Sequence, residues 1–123
     1  MSNALPELRI ETIDDDKCRA MVQHLEFIGR RWVGAILLAG LRGARRFSEY
    51  RGLVDGISDR LLSVRLKELE ALGLVERTVV PTTPVTISYA PTRRGRDLIA
   101  AAQPLTNWAL ADEARHRLRA VSD

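Results

Sequence analysis

The chain uses two hydrophobic rhythms, and the place where one gives way to the other sets its organisation. Up to residue 72, apolar positions recur every three to four residues, the spacing of helices with one buried side. Met21, Val22, Leu25 and Ile28 form the first stripe, opened by Asp16 as a cap and ended by Gly29. Trp32, Ile36, Leu37 and Leu41 form a second, over about 31–40, that stops between Gly40 and Gly43. Arg45, Arg46 and Phe47 read as a short strand, and Ser48 as the cap of a short third helix over 48–53. Ile57 and Ser58 supply the apolar residue and N-cap that announce a fourth helix, 59–72. Its Leu62, Leu66 and Leu69 share one side, and Gly73 stands where a left-handed residue closes a helix.

After Gly73 the period falls to two. Leu74–Val80 and Val85–Tyr89 are rich in β-branched residues and flank Pro81-Thr82-Thr83-Pro84, which predicts a hairpin with a polar tip. Thr92 caps a last helical region, about 92–120, that Pro104 is expected to break or kink. Residues 1–15 lack periodicity and read as a mobile acidic arm, and 16–121 as a single domain. Helix-turn-helix (about 48–72) followed directly by a hairpin (about 74–90) predicts an α+β, mainly helical winged helix-turn-helix, the hairpin being the wing.

Composition narrows the function. A chain of 123 residues supports one core. No apolar run reaches the ~18 residues of a membrane span, since Ala35–Leu41 is interrupted at Gly40 and followed by Arg42. The acidic start fits no secretory signal, and the single cysteine, Cys18, allows no internal disulfide and suits a reducing compartment. A cytoplasmic protein is expected, at the nucleoid when on DNA. No glycine-rich phosphate loop, nucleophile–base pair or paired catalytic carboxylates occur, and His24 and His116 are isolated, so no enzyme, cofactor or metal site is expected.

Charge is unevenly spread. Residues 29–67 hold nine bases against three acids, whereas 1–28 hold six acids against three bases and 68–123 are balanced. A basic centre of this kind is the footprint of a phosphate-binding face. With Leu62 turned inward at about 100° per residue, Arg60, Ser63, Val64, Lys67 and Ala71 fall in one outward wedge without a carboxylate. Arginine and lysine donate to guanine, serine bonds base or phosphate, and valine packs on a thymine methyl, so this face fits a major groove. Ser58 and Asp59 mark the helix start, where exposed N–H groups favour a phosphate. Arg45 and Arg46 before the helices, Arg77 on the wing strand, and Thr82 and Thr83 at the wing tip are candidate phosphate or wing contacts. Arg65 borders the core stripe, where an internal ion pair competes with DNA contact. Double-stranded DNA is thus the expected partner; the alternative is a winged-helix protein-interaction module without DNA binding.

Several segments together resemble the HxlR-type winged-helix regulators, a branch related to the MarR-like repressors. They are Phe27-Ile28-Gly29-Arg30-Arg31-Trp32, Arg45-Arg46-Phe47-Ser48-Glu49, Gly56 to Ser63, Arg65 to Leu69 and Gly73 to Arg77, with Pro81, Pro84, Tyr89, Thr92 and Gly95 in and after the wing. The likeness runs from about Cys18 to Trp108. It implies a homodimer built from the first and last helices, with Val22, Leu25, Leu105, Trp108 and Ala109 as interface candidates; for Trp108, packing within the chain is the alternative. It also implies a (pseudo)palindromic operator, most often repression, and a small-molecule or thiol-reactive signal. Cys18 matches a cysteine that some relatives use as a thiol sensor, and an inert helix residue is the other reading. Arg19 stands where the family usually has proline, and Ser88 where it usually has an acid.

Overall fold

The nine residues of Val33–Leu41 include no charged or polar side chain, so this segment has no face suited to water. It forms the central helix, with Val33, Ile36, Leu37, Ala39 and Gly40 all buried. The computed structural model describes residues 14–122. In order along the chain, the elements are α1 (Asp15–Ile28), α2 (Val33–Leu41), α3 (Phe47–Leu53), α4 (Asp59–Ala71), β1 (Val75–Val80), β2 (Thr86–Pro91) and α5 (Arg93–Ser122). Helices α1, α3, α4, α5 and strand β2 all pack on α2. The core closes around it with Tyr50 and Val54 from α3 and its end, Ile57, the three leucines of α4, and Leu74 and Val75 at the start of the hairpin.

The strongest sequence signals reappear in place. Ser58 caps α4, its hydroxyl accepting from the Leu61 N–H at 3.1 Å. Leu62, Leu66 and Leu69 are at most 1% exposed. Gly73 follows with φ +72°, a left-handed conformation that glycine adopts without steric cost. The hairpin is antiparallel, with Val75 opposite Pro91, Arg77 opposite Tyr89 and Val80 opposite Thr86.

Other boundaries differ for identifiable reasons. Asp14, not Asp16, caps α1, accepting from the Lys17 N–H at 2.8 Å. Each of three successive aspartates can cap; using the first leaves Asp15 and Asp16 in the opening turn, where the helix dipole favours acids. Asp14 and Asp15 therefore belong to the α1 start rather than to an arm, and the rest of the expected arm, 1–13, lies outside the described residues. Helix α2 begins at Val33 because Trp32 takes a left-handed conformation, φ +81°. At the far end of α2, Leu41 is 41% exposed instead of buried.

The expected strand at 45–47 is absent. The Arg45 carbonyl accepts one backbone bond from Tyr89, at 2.7 Å, and the chain then turns away into α3. Glu49 causes the turn: its Oε1 accepts from the N–H groups of Arg45 (3.2 Å) and Arg46 (2.9 Å). Helix α3 thus starts at Phe47, with Arg46 rather than Ser48 at the N-cap position. Strand β2 runs on to Pro91. Helix α5 passes through Pro104 without a break. Proline forgoes one N–H, and the carbonyl it would have met belongs to Ala100, on an exposed turn that water can satisfy.

The start of α5 is fastened to the end of α4. Thr92 donates its N–H to the Leu74 carbonyl (3.0 Å) and its hydroxyl to the Gly73 carbonyl (2.6 Å), while accepting from the Gly95 N–H (3.1 Å). Arg94 Nη1 donates to the Leu72 carbonyl at 2.6 Å. Gly95 permits the approach, because a Cβ there would be driven into the Leu74 carbonyl.

Candidate nucleic-acid interface

Burying three leucines on one side of α4 turns its other side outward. Arg60, Val64, Lys67 and Ala71 are exposed, and Ser63 is half-buried at the edge of the wedge. Of the three acids that border this face, Glu70 is exposed at its edge, while Glu68 and Asp59 are engaged elsewhere. Glu68 takes Arg65 Nη1 at 3.0 Å and lies 3.7 Å from Arg30 Nη1, and Arg65 Nε also donates to the Arg31 carbonyl at 3.2 Å. Arg65 thus makes the internal ion pair, tying α4 to the loop between α1 and α2. Asp59 pairs with Arg51 Nη1 of α3 at 3.1 Å, which joins the two helices of the helix-turn-helix. Arg60 and Lys67 have no such partner among the described residues.

The remaining candidates are placed as follows. Arg46 and Arg77 are exposed, before α3 and on β1 respectively. Arg45 is partly committed, its Nη1 donating to the carbonyls of Gly40 (2.8 Å) and Ala44 (2.7 Å) and so closing the end of α2. At the wing tip, the Thr82 hydroxyl donates to the Pro84 carbonyl at 2.8 Å, and Thr83 is exposed. The wing is anchored at its base: the Tyr50 hydroxyl donates to the Tyr89 carbonyl (2.8 Å), and the two rings meet edge to face at 6.4 Å. Burial pushes the Tyr50 phenol upward, and the backbone N–H groups of Arg46 and Arg45 hold the Glu49 carboxyl below its ordinary range.

Cys18 is exposed on the first half of α1. Leu25, Leu105 and Trp108 line one apolar groove between α1 and α5, together with Met21 and Ile28. Val22 and Ala109 lie on the same helices outside its lining. Spacing alone missed Arg51 and Arg94. Their partners, Asp59 and the Leu72 carbonyl, lie 8 and 22 residues away, beyond any helical period. Among the described residues no helix is long and apolar enough to cross a membrane, and no group of three or more His, Cys, Asp or Glu could hold a metal ion.

A helix-turn-helix with an antiparallel hairpin directly after its second helix defines a winged-helix protein. The HxlR-like helix-turn-helix family matches residues 27–117, and the chain belongs to that family. It is 38% identical to the uncharacterized HTH-type transcriptional regulator YvaP of Bacillus subtilis (strain 168), over 76% of this chain and 87% of that one. It is 39% identical to the HTH-type transcriptional regulator YodB of the same organism, over 75% and 82%. The structure of reduced YodB superposes with a TM-score of 0.69, covering 75% of this chain and 90% of that one, and a diamide-treated form gives 0.68. A MarR-family regulator from Enterococcus faecalis V583, 28% identical, gives 0.74 over 91% and 99%. The chain is a transcriptional regulator of helix-turn-helix fold, not an enzyme, and the family implies DNA binding.

Proposed function

We propose that this regulator is a cytoplasmic homodimer that binds a (pseudo)palindromic operator in a sequence-specific manner and represses the adjoining gene. One observation carries the reading: Arg60, Val64 and Lys67 stand open on α4, while Glu68 and Asp59 are held by Arg65 and Arg51. Two such helices, one per protomer, then enter successive major grooves ~34 Å apart. Arg60, Ser63, Val64 and Lys67 meet base edges, and Ser58 and Asp59 lie at the phosphate beside the helix start. Arg46, Arg77, Thr82 and Thr83 contact the backbone, and Arg45 does so through the N–H groups not given to Gly40 and Ala44. Residues 16–121 act as one domain, with the groove between α1 and α5 closed by the second copy.

A gel shift on the intergenic DNA upstream of the chain's own gene, run across a salt series, tests the reading. Specific retention with a steep salt dependence is expected. Equal retention of unrelated DNA leaves only basic character, and no retention favours the protein-interaction module.

Release is assigned to a thiol-reactive or small-molecule signal. Cys18 is the candidate sensor, being exposed on a helix of the proposed interface. Diamide takes up two hydrogens as it joins two thiols, so here it would link Cys18 of two protomers or trap a small thiol on one. Cys18→Ser should keep operator affinity and lose release by diamide; a variant that is still released makes Cys18 structural.

A further inference from the structure

The ion pair that joins α3 to α4 leaves most of one guanidinium unused. Tyr50 and Val54 are buried on either side of Arg51 in the chain, so the Arg51 backbone is fixed and only its side chain can swing. Asp59, the first residue of α4, limits that swing: its two carboxylate oxygens accept from Arg51 Nη1 at 3.2 and 3.1 Å. Nε and Nη2 of Arg51 hold no bond among the described residues. The two side chains are 53% and 61% exposed, so neither serves the core and both can be reached by a ligand.

The proposed function sets Asp59 beside a phosphate at the start of α4, where two like charges repel. A cation between them removes the conflict, and Arg51 is already tied to Asp59. In helix-turn-helix proteins the first helix crosses the sugar–phosphate backbone while the second lies in the groove. An arginine of α3 bound to the first residue of α4 therefore stands at the groove's edge. A planar guanidinium with Nε and Nη2 free matches two phosphate oxygens at once.

We propose that Arg51 clamps a DNA phosphate through Nε and Nη2, and that Asp59 is a positioning residue for it. By holding Nη1, Asp59 leaves little side-chain freedom to be lost on binding. The proposal rests on the DNA-binding reading and adds to it a phosphate contact beyond those named there. The clamp carries no sequence information. Asp59 acts in two opposed ways: its tether favours the clamp, and its charge opposes the phosphates.

The test is fluorescence anisotropy across a salt series, on a duplex selected by the parent from a random library and on an unrelated duplex of equal length. Arg51→Ala should weaken both by the same factor, at least about fivefold, and lower the slope of log affinity against log salt by about one per bound protomer. Arg51→Lys keeps the charge and should restore the slope. With Arg51 already alanine, Asp59→Asn should tighten the unrelated duplex, because only charge relief remains. With Arg51 present, loss of the tether offsets that gain, which should be at least about threefold smaller. Circular dichroism should show the parent's helix content in each variant. The proposal is overturned if Arg51→Ala leaves the slope unchanged, or if it weakens the selected duplex alone, which makes Arg51 a base contact. It is also overturned if Asp59→Asn tightens DNA equally in both backgrounds. A parent that retains no duplex sinks the regulator reading as a whole; a parent that binds DNA no better than Arg51→Ala sinks the clamp alone.

Discussion

Helices α1 and α4 are nearly equal in length, 14 and 13 residues, and carry similar apolar stripes, yet they meet opposite fates. Helix α4 buries Leu62, Leu66 and Leu69 completely against α2 and the hairpin base. Helix α1 buries no residue, and Met21, Val22 and Leu25 remain about half exposed. Opposite them on α5, Leu105 and Trp108 are 53% and 54% exposed. The same pattern is thus satisfied inside the chain in one helix and left waiting in the other. Met21, Leu25, Leu105 and Trp108 line an apolar groove of about 810 Å³ between the two helices that no other described part of the chain fills. The lesson is that one pattern serves two ends: α4 commits its stripe to the core and leaves its polar side open, the side proposed above to meet DNA, whereas α1 and α5 leave apolar sides uncovered, the sides proposed to meet a second copy.

That contrast can be broken at either end. The largest effect is expected at Leu66, where truncation to alanine opens a cavity among residues at most 1% exposed. Leu66→Ala should cost about 2–5 kcal/mol of folding stability in urea denaturation, with unfolding of the whole domain. A loss below 1 kcal/mol would mean that the α4 stripe is not the core. Next comes the groove. Leu25→Glu combined with Trp108→Glu places charge on both walls, and sedimentation equilibrium should show the dimer dissociation constant raised at least about 100-fold, ~2.7 kcal/mol. The monomer should keep its helix content, because neither residue is buried in it. An unchanged mass would assign the groove to some other occupant.

The smallest effect concerns Glu49, which shapes the loop between the two regions. Its carboxyl is held low first by the Arg46 N–H and then by that of Arg45, so the ionised form is favoured in the folded chain. This stabilisation is present above the ordinary glutamate value and is lost as pH falls through the lowered one. Melting curves of the parent and Glu49→Ala should therefore differ at pH 7 and converge in acid. A gap that persists unchanged at pH 2 would contradict the role of its charge.

Much of this was legible in the sequence, and what was missed follows a rule. Elements fixed by neighbours close in the chain were readable: Ser58 with the leucine stripe, Gly73, and the β-branched hairpin. Features fixed across the fold were not. Arg45–Phe47 has strand-like character, but whether it pairs depends on Glu49 drawing the chain into α3 after one bond to Tyr89. Three adjacent aspartates offer equal caps, and local pattern does not choose among them. The outward wedge of α4 was readable because helical geometry projects it. The joint from Leu72 and Gly73 to Thr92 and Arg94 was not, since it spans some twenty residues.

The most direct test concerns the outward side of α4 itself. An operator can be selected from a random duplex library by the parent protein, and Arg60→Ala titrated on it and on an unrelated duplex at one salt concentration. Binding to the operator should weaken by roughly 1–3 kcal/mol while binding to unrelated DNA stays within twofold. If Arg60→Ala combined with Lys67→Ala holds the operator as tightly as the parent, α4 does not read DNA and the account fails.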